Sequence, residues 1–359
     1  MKKILKLFLC LLVSSQVFAD VWVSNNTWND SWEKKYAEWV KNDVSRDIFL
    51  QGKYAMKTDC ADAAYSLRAV FAYENRLPFI IRNPNKYRST YSNRTNKFDR
   101  YSSKNNRRFK KFLRWLHGVT NSRTIRNDTY SPELTRENIH PGNPFVKVSK
   151  IYFLKSIDQE GVLIFNHSRS PRLKRRLFIN PGLPPIYQRD MKAPFGGFRK
   201  WRNAKILHHS TSRLRKANLY SGKQYDLFRK NLLEGEIKKI FHQDLLSLDQ
   251  LTLHINEILR ERVEVVQSSY KIAIRSKEKL PRIYQWAYSF KEKDQYLLLK
   301  LHELKKRSPK EFVEILEQKI KINKNDSILF KNFYLNLIKG RISYNLKSPI
   351  SKRWSFINK

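Results

Sequence analysis

The stretch KTDCADAAYSLRAVFAYENRLPF, residues 57–79, decides how the chain is read. Cys60, Ala63, Ala64, Leu67, Val70 and Phe71 recur at i, i+3, i+4 and i+7, which gathers them into one apolar stripe on a helix. Thr58 or Asp59 can cap the start of that helix, and the RLPF turn ends it. Cys60 therefore stands at the amino end of a helix with a buried face. Two readings of it follow. Unpaired N–H groups and the helix dipole favour a thiolate, which is the nucleophilic form of cysteine. A free cysteine on an apolar stripe is equally a small buried hydrophobe.

Upstream, MKKILKLFLCLLVSSQVFA combines a lysine-bearing start, an apolar run from Ile4 to Val13 and a small-residue end at Ala19. This is the pattern of a secretory signal peptide, with a run too short to span a bilayer, and cleavage is expected after Ala19. Cys10 would leave with it, so Cys60 would be the one thiol of an exported chain and no internal disulfide could form. Losing Lys2, Lys3 and Lys6 lowers the formal charge from +40 to +37. Such an excess selects anionic partners: an envelope polymer first, nucleic acid lower once export is accepted. At 41% hydrophobic and 13% aromatic residues the chain can still bury a core, so wholesale disorder is excluded.

Between the leader and Cys60, Trp28, Trp32, Tyr36 and Trp39 recur at helical spacing over 29–41, as a core-facing stripe. Residues 82–126 hold fourteen Lys or Arg and one acid, Asp99, interleaved with aromatics. That pattern reads either as a platform for single-stranded nucleic acid or as a solvated insertion ending in the amphipathic helix RRFKKFLRWLHG, closed by Gly118. Ile151–Ile157, the turn DQEG and Val162–Phe165 read as a β-hairpin, and the Pro/Gly-rich 181–197 as irregular loop. GFRKW closes the first domain, with a boundary between 203 and 225. The remainder reads as helical, with caps at Ser247/Gln250 and Ser308/Glu311 and a last helix over 327–339.

The DC dipeptide opening a helix of small and apolar residues, followed by a Pro-Gly turn and a β-hairpin, resembles the papain-like superfamily. The nearest branches are the NlpC-type cell-wall peptidases and the bacterial transglutaminase-like proteins, over residues 55–170. The resemblance implies a cysteine-led helix on an antiparallel sheet, a histidine base at a strand start and a third polar residue that orients it. Cys60 carries over as the nucleophile. The histidine should open KIYFLK near Ser149 or Lys150, yet neither is histidine. His140, in the turn before the hairpin, and His167, at the end of its second strand, are the candidate bases. Asn166, Asp128 and Asp158 are the candidate orienters. A desolvated lysine can also serve as a base.

The expected fold is α+β: a signal peptide over 1–19, a papain-like domain over 20–210 and an all-helical domain over 211–359. The expected function is exported, cysteine-dependent hydrolysis or acyl transfer at an amide of cell-wall peptides or proteins, in the periplasm or outside. The alternative is a catalytically defective papain-like scaffold that binds an anionic cell-envelope polymer. No HExxH, Walker or dinucleotide glycine motif and no metal-ligand spacing is present, so neither metal nor small-molecule cofactor is expected, and no transmembrane span.

Overall fold

The computed structural model describes residues 20–354 apart from 87, 148–149, 158–161, 185–195, 231, 242–246, 276–289 and 324. The leader, Ser149 and Asp158 lie outside the described residues. The order is α1 (Asp30–Asn42), α2 (Cys60–Glu74), β1 (Ile80–Arg82), β2 (Thr90–Ser92), α3 (Arg107–Val119), α4 (Ile125–Asp128) and β3 (Thr129–Tyr130). There follow β4 (Pro144–Lys147), β5 (Lys150–Ile157), β6 (Leu163–His167), β7 (Phe178–Pro181), β8 (Gly197–Phe198) and β9 (Lys200–Trp201). The last part holds α5 (Thr211–Lys216), α6 (Lys223–Arg229), α7 (Leu233–Phe241), α8 (Leu248–Arg275), α9 (Lys291–Arg307), α10 (Pro309–Leu316), β10 (Lys319–Lys321), β11 (Ser327–Leu329), α11 (Phe330–Ile338) and α12 (Ile350–Trp354). The fold is α+β with antiparallel sheets.

The organiser is a five-stranded antiparallel sheet in the order β7-β6-β5-β4-β8. Side chains alternate between its two faces, and the alternation sorts the core. Val146, Ile151 and Phe153 join one cluster with α1, α2 and α3. Phe145, Tyr152, Leu154 and Phe165 join another with Phe198 and with Phe228, Leu233 and Ile237 of α6 and α7. The helices beyond the expected boundary thus cover the far face of the sheet. A third cluster holds α8 to α12 together and includes Phe178 of β7.

The indole stripe of α1 packs as its spacing predicts. Tyr36 and Val40 are buried, and Trp28, Trp32 and Trp39 ring Phe71 of α2 at 5.8, 6.3 and 5.5 Å. Arg68 lies 3.3 Å over Trp28 and pairs with Glu33 through both nitrogens.

Three expectations change. Residues 82–126 are not a solvated insertion, because Phe98, Phe109, Phe112, Leu113 and Leu116 enter the core beside α2 and Tyr91 packs edge-on to Trp115. Their aromatics are engaged with each other. The helix placed over 327–339 begins only at Phe330, since Ser327–Leu329 pairs antiparallel with Lys319–Lys321. Ile320 is buried between Lys319 and Lys321 and Ile328 between Ser327 and Leu329, a pattern three residues long and too short to stand out between helices. The stretch 181–197 starts and ends in strand, with Pro181 on Ile164 and Gly197 on Val146.

Candidate functional site

The amino end of α2 is built by Asp59. Its carboxylate accepts the N–H groups of Ala61 and Asp62 at 3.0 Å, while the Asp62 carboxylate accepts the Asp59 N–H at 3.0 Å. Thr58 does not cap; it is buried, and its hydroxyl lies 3.3 Å from Ser168 Oγ on the strap that follows β6. Cys60 is partly exposed as a residue, but its thiol is enclosed against the start of β5, where the Ile151 backbone faces it and Lys150 contributes positive charge.

This end of the helix does not yield a thiolate. Burial pushes the Cys60 thiol up to about 12, Asp59 and Asp62 push the same way, and the Ile151 backbone and Lys150 oppose them without prevailing. The helix dipole is real, but two carboxylates in the first turn answer it before the sulfur can. The lowered pKa expected from position alone is therefore reversed.

The structure brings neither candidate histidine to that thiol. His140 donates its N–H to Asn143 Oδ1 at 2.7 Å, and Gly142 donates to Leu154 O at 2.8 Å. This anchors the turn near Leu154, three residues along β5 from Ile151, about 10 Å at the rise of a strand. Its imidazole is pushed down by burial and lies in the field of Glu33 and Arg68, two turns down α2 from Cys60. His167 stands on the opposite face of the sheet. Its ring centroid is 4.6 Å from Tyr152 and 5.4 Å from Phe178, and burial drives its pKa well below the ordinary value.

Asn166 does share the α2 face, opposite Phe153 in the register. It is buried, and neither its amide oxygen nor its nitrogen has a hydrogen-bond partner among the described residues. Asp128 is committed elsewhere: it accepts from Tyr65 Oη at 2.5 Å and from the Arg82 N–H at 2.7 Å, clamping β1 to the middle of α2, and burial raises it to about 6.

Two polar clusters escaped the sequence reading. On α2 itself, Ser66 Oγ lies 2.7 Å from His117 Nε2, and His117 Nδ1 lies 3.8 Å from Asp62 Oδ2, which Arg172 Nε reaches at 2.6 Å. The order is that of a serine relay, but Ser66 is fully buried in mid-helix. Burial holds His117 at about 3, hence neutral, and lifts Asp62 to about 7. The cluster ties α3 and the strap to α2. The Asp62/Ser66 spacing of four was its only local signal.

Behind the sheet, Glu261 of α8 meets Arg169 and Lys293, with His167 Nε2 at 3.7 Å. Burial would raise Glu261, yet Lys293 and Arg169 outweigh it and hold it low, while burial brings Lys293 down to about 8. These ions join the strap after β6 to α8 and α9. Comparison with family models, curated proteins and solved structures finds no match. What the site can do is therefore argued from its own chemistry.

Proposed function

We propose that the chain is a papain-like thiol-site scaffold that has lost its base and works as a cationic binding protein, exported and bound to an anionic polymer of the cell envelope. The observation that carries this reading is the Cys60 thiol itself: enclosed, beside two carboxylates and held up to about 12, with a lysine, Lys150, at the strand start where the family has its histidine. At neutral pH such a group is a thiol and does not attack a carbonyl. Asn166 supports the same reading. A buried amide without partners costs about 1–3 kcal/mol per unmet group, and one on the α2 face of the sheet fits an orienter that outlived the base it oriented. The charge of +40 on the whole chain supplies the attraction to polyanions.

A second reading keeps the enzyme, because Lys150 is near enough to lower the Cys60 thiol. A lysine that lost its own proton could take the thiol's, making the chain an amide hydrolase with a Cys60–Lys150 pair. One experiment separates the two. The rate of iodoacetamide alkylation of Cys60 is followed from pH 6 to 11, with Cys60→Ser as blank and Lys150→Ala alongside. The binding reading expects a rate still rising at the top of the range. A plateau reached below pH 8.5 and lost in Lys150→Ala would overturn it in favour of the hydrolase. Polymer retention is scored in parallel against salt, since attraction between exposed charges weakens as salt rises.

A further inference from the structure

The loop from Asn83 to Ser89 joins β1 to β2 and is pinned from within. The Asn83 N–H donates to Ser89 O at 2.9 Å, the Ser89 N–H to Lys86 O at 3.1 Å and the Asn85 N–H to Asn83 Oδ1 at 2.9 Å. Arg88 is held in the left-handed region at φ 58°, where a non-glycine residue stands only if its surroundings require it. Against this loop lies the segment ending at His208 and His209. Arg82 Nε donates to Leu207 O at 2.7 Å, and Arg202 Nη1 to Leu207 O at 3.2 Å and to His209 O at 2.7 Å. Between loop and segment is a cavity of about 340 Å³, lined by Arg82, Lys86, Arg88 and His208 together with Asn85 and Asn127.

Its electrostatics are one-sided. Carbonyl oxygens take the donors of Arg82 and Arg202 but cancel none of their charge. No carboxylate lines the cavity among the described residues. The nearby acid, Asp128, lies buried behind the cavity, accepts from Tyr65 and the Arg82 backbone, and offsets part of the charge of Arg82 and Arg202 from that side. His208 registers the result: partial burial and the charges of Arg82, Arg88 and Arg202 all hold it below its ordinary value.

We infer that this cavity is a phosphate-binding site, its ligand a phosphate group presented either free or along an anionic polymer. Several cations with amide and imidazole donors between them suit an oxyanion with three or four acceptor atoms and up to two charges. A carboxylate has one charge and two oxygens, and would leave most of the cavity's donors unused. The inference deepens the polymer-binding reading by naming the group recognised, and rests on that reading only for the polymer.

The test uses the mature full-length chain at about 0.15 M salt, where exposed charges are screened beyond roughly 8 Å. Inorganic phosphate is titrated calorimetrically, with acetate as the carboxylate probe and inorganic polyphosphate as the polymer. The site expects saturable phosphate binding at one per chain, no comparable acetate binding, and an upward shift of the His208 imidazole pKa by NMR on adding phosphate. Lys86→Gln with Arg88→Gln should weaken phosphate at least about tenfold and abolish the His208 shift, since charge-assisted contacts are the strong ones. Lys310→Gln with Lys331→Gln removes equal charge from exposed helix and should change affinity less than about twofold, as screening predicts. If the double pocket variant misfolds, Arg88→Gly keeps the left-handed backbone and serves alone. Absence of saturable phosphate binding, or equal loss in both double variants, overturns the site. Phosphate bound without polyphosphate would leave the site standing and sink the polymer reading. Polyphosphate bound without a phosphate site would do the reverse.

Discussion

The amino end of α2 and the cavity at His208 invert each other. The first holds the reactive atom type, a cysteine at a helix start, yet the acids around it are engaged: Asp59 accepts helix N–H groups, and one oxygen of Asp62 takes the Asp59 N–H and Arg172 while the other is buried without a partner among the described residues. The second holds no nucleophile, but its cations face a space with no carboxylate among the described lining residues. Chemistry-bearing residues of opposite sign packed together build structure, and a lining of one sign around an open space suits a ligand of the other. The comparison breaks if substitution at the α2 end leaves stability alone, or if substitution at the cavity damages it.

The largest effect belongs to Asp62→Ala. It removes half of the capping box and the nearer of the two carboxylates that hold Arg172, and should cost about 2–3 kcal/mol in urea unfolding, the loss of a cap together with a charge-assisted hydrogen bond. Asn166→Leu should move the other way, gaining about 1 kcal/mol, because two orphaned polar atoms leave a buried position. Loss of stability there would mean that Asn166 has a partner and would undo its use in the functional reading.

Asp59→Asn keeps the cap, as Asn serves as well as Asp, but removes the acid that most raises the thiol after burial. Alkylation of Cys60 at pH 8 should then speed up about three- to tenfold, since thiolate fraction follows pKa. An unchanged rate would leave burial as the whole cause.

The acid limb of stability sharpens the contrast further. His117 and His254 are held by burial at about 3 in the folded chain, so between there and about 6.5 the unfolded chain binds protons that the folded chain refuses. Their contribution is complete above about 6.5 and declines as pH falls toward 3. His117→Gln should reduce the slope of unfolding free energy against pH by about one proton in that window, measured at pH 4 to 6. The smallest effect is expected at the cavity, where Lys86→Gln should shift stability by less than about 0.5 kcal/mol.

Much of the α2 end was legible. Asp59 and Asp62 flank Cys60 in the sequence, and the apolar spacing already declares the helix and its buried face. What could not be read was the fate of the histidines. His140 and His167 both border the hairpin, and one residue of strand alternation decides which face a side chain takes. The family resemblance put them near the thiol; the sheet put His167 on its other side, and the turn at Gly142 holds His140 near Leu154. The cavity was hidden for a similar reason. Residues 82–126 read as one basic run, but aromatics such as Phe98, Phe109 and Phe112 went to the core, and its charged loop lines a pocket only because the segment at His208 lies beside it.

By itself the sequence determined the helix led by Cys60, the hairpin from β5 to β6, the caps at Ser247 and Ser308 and the cationic character of the chain, because each follows from the identity and spacing of neighbours. The tertiary structure alone decided the thiol's proton, the separation of Cys60 from both histidines and the convergence of Arg82, Arg88 and His208. Burial and charge–charge energies depend on distance in space, and in this fold the deciding distances run between segments far apart in the chain.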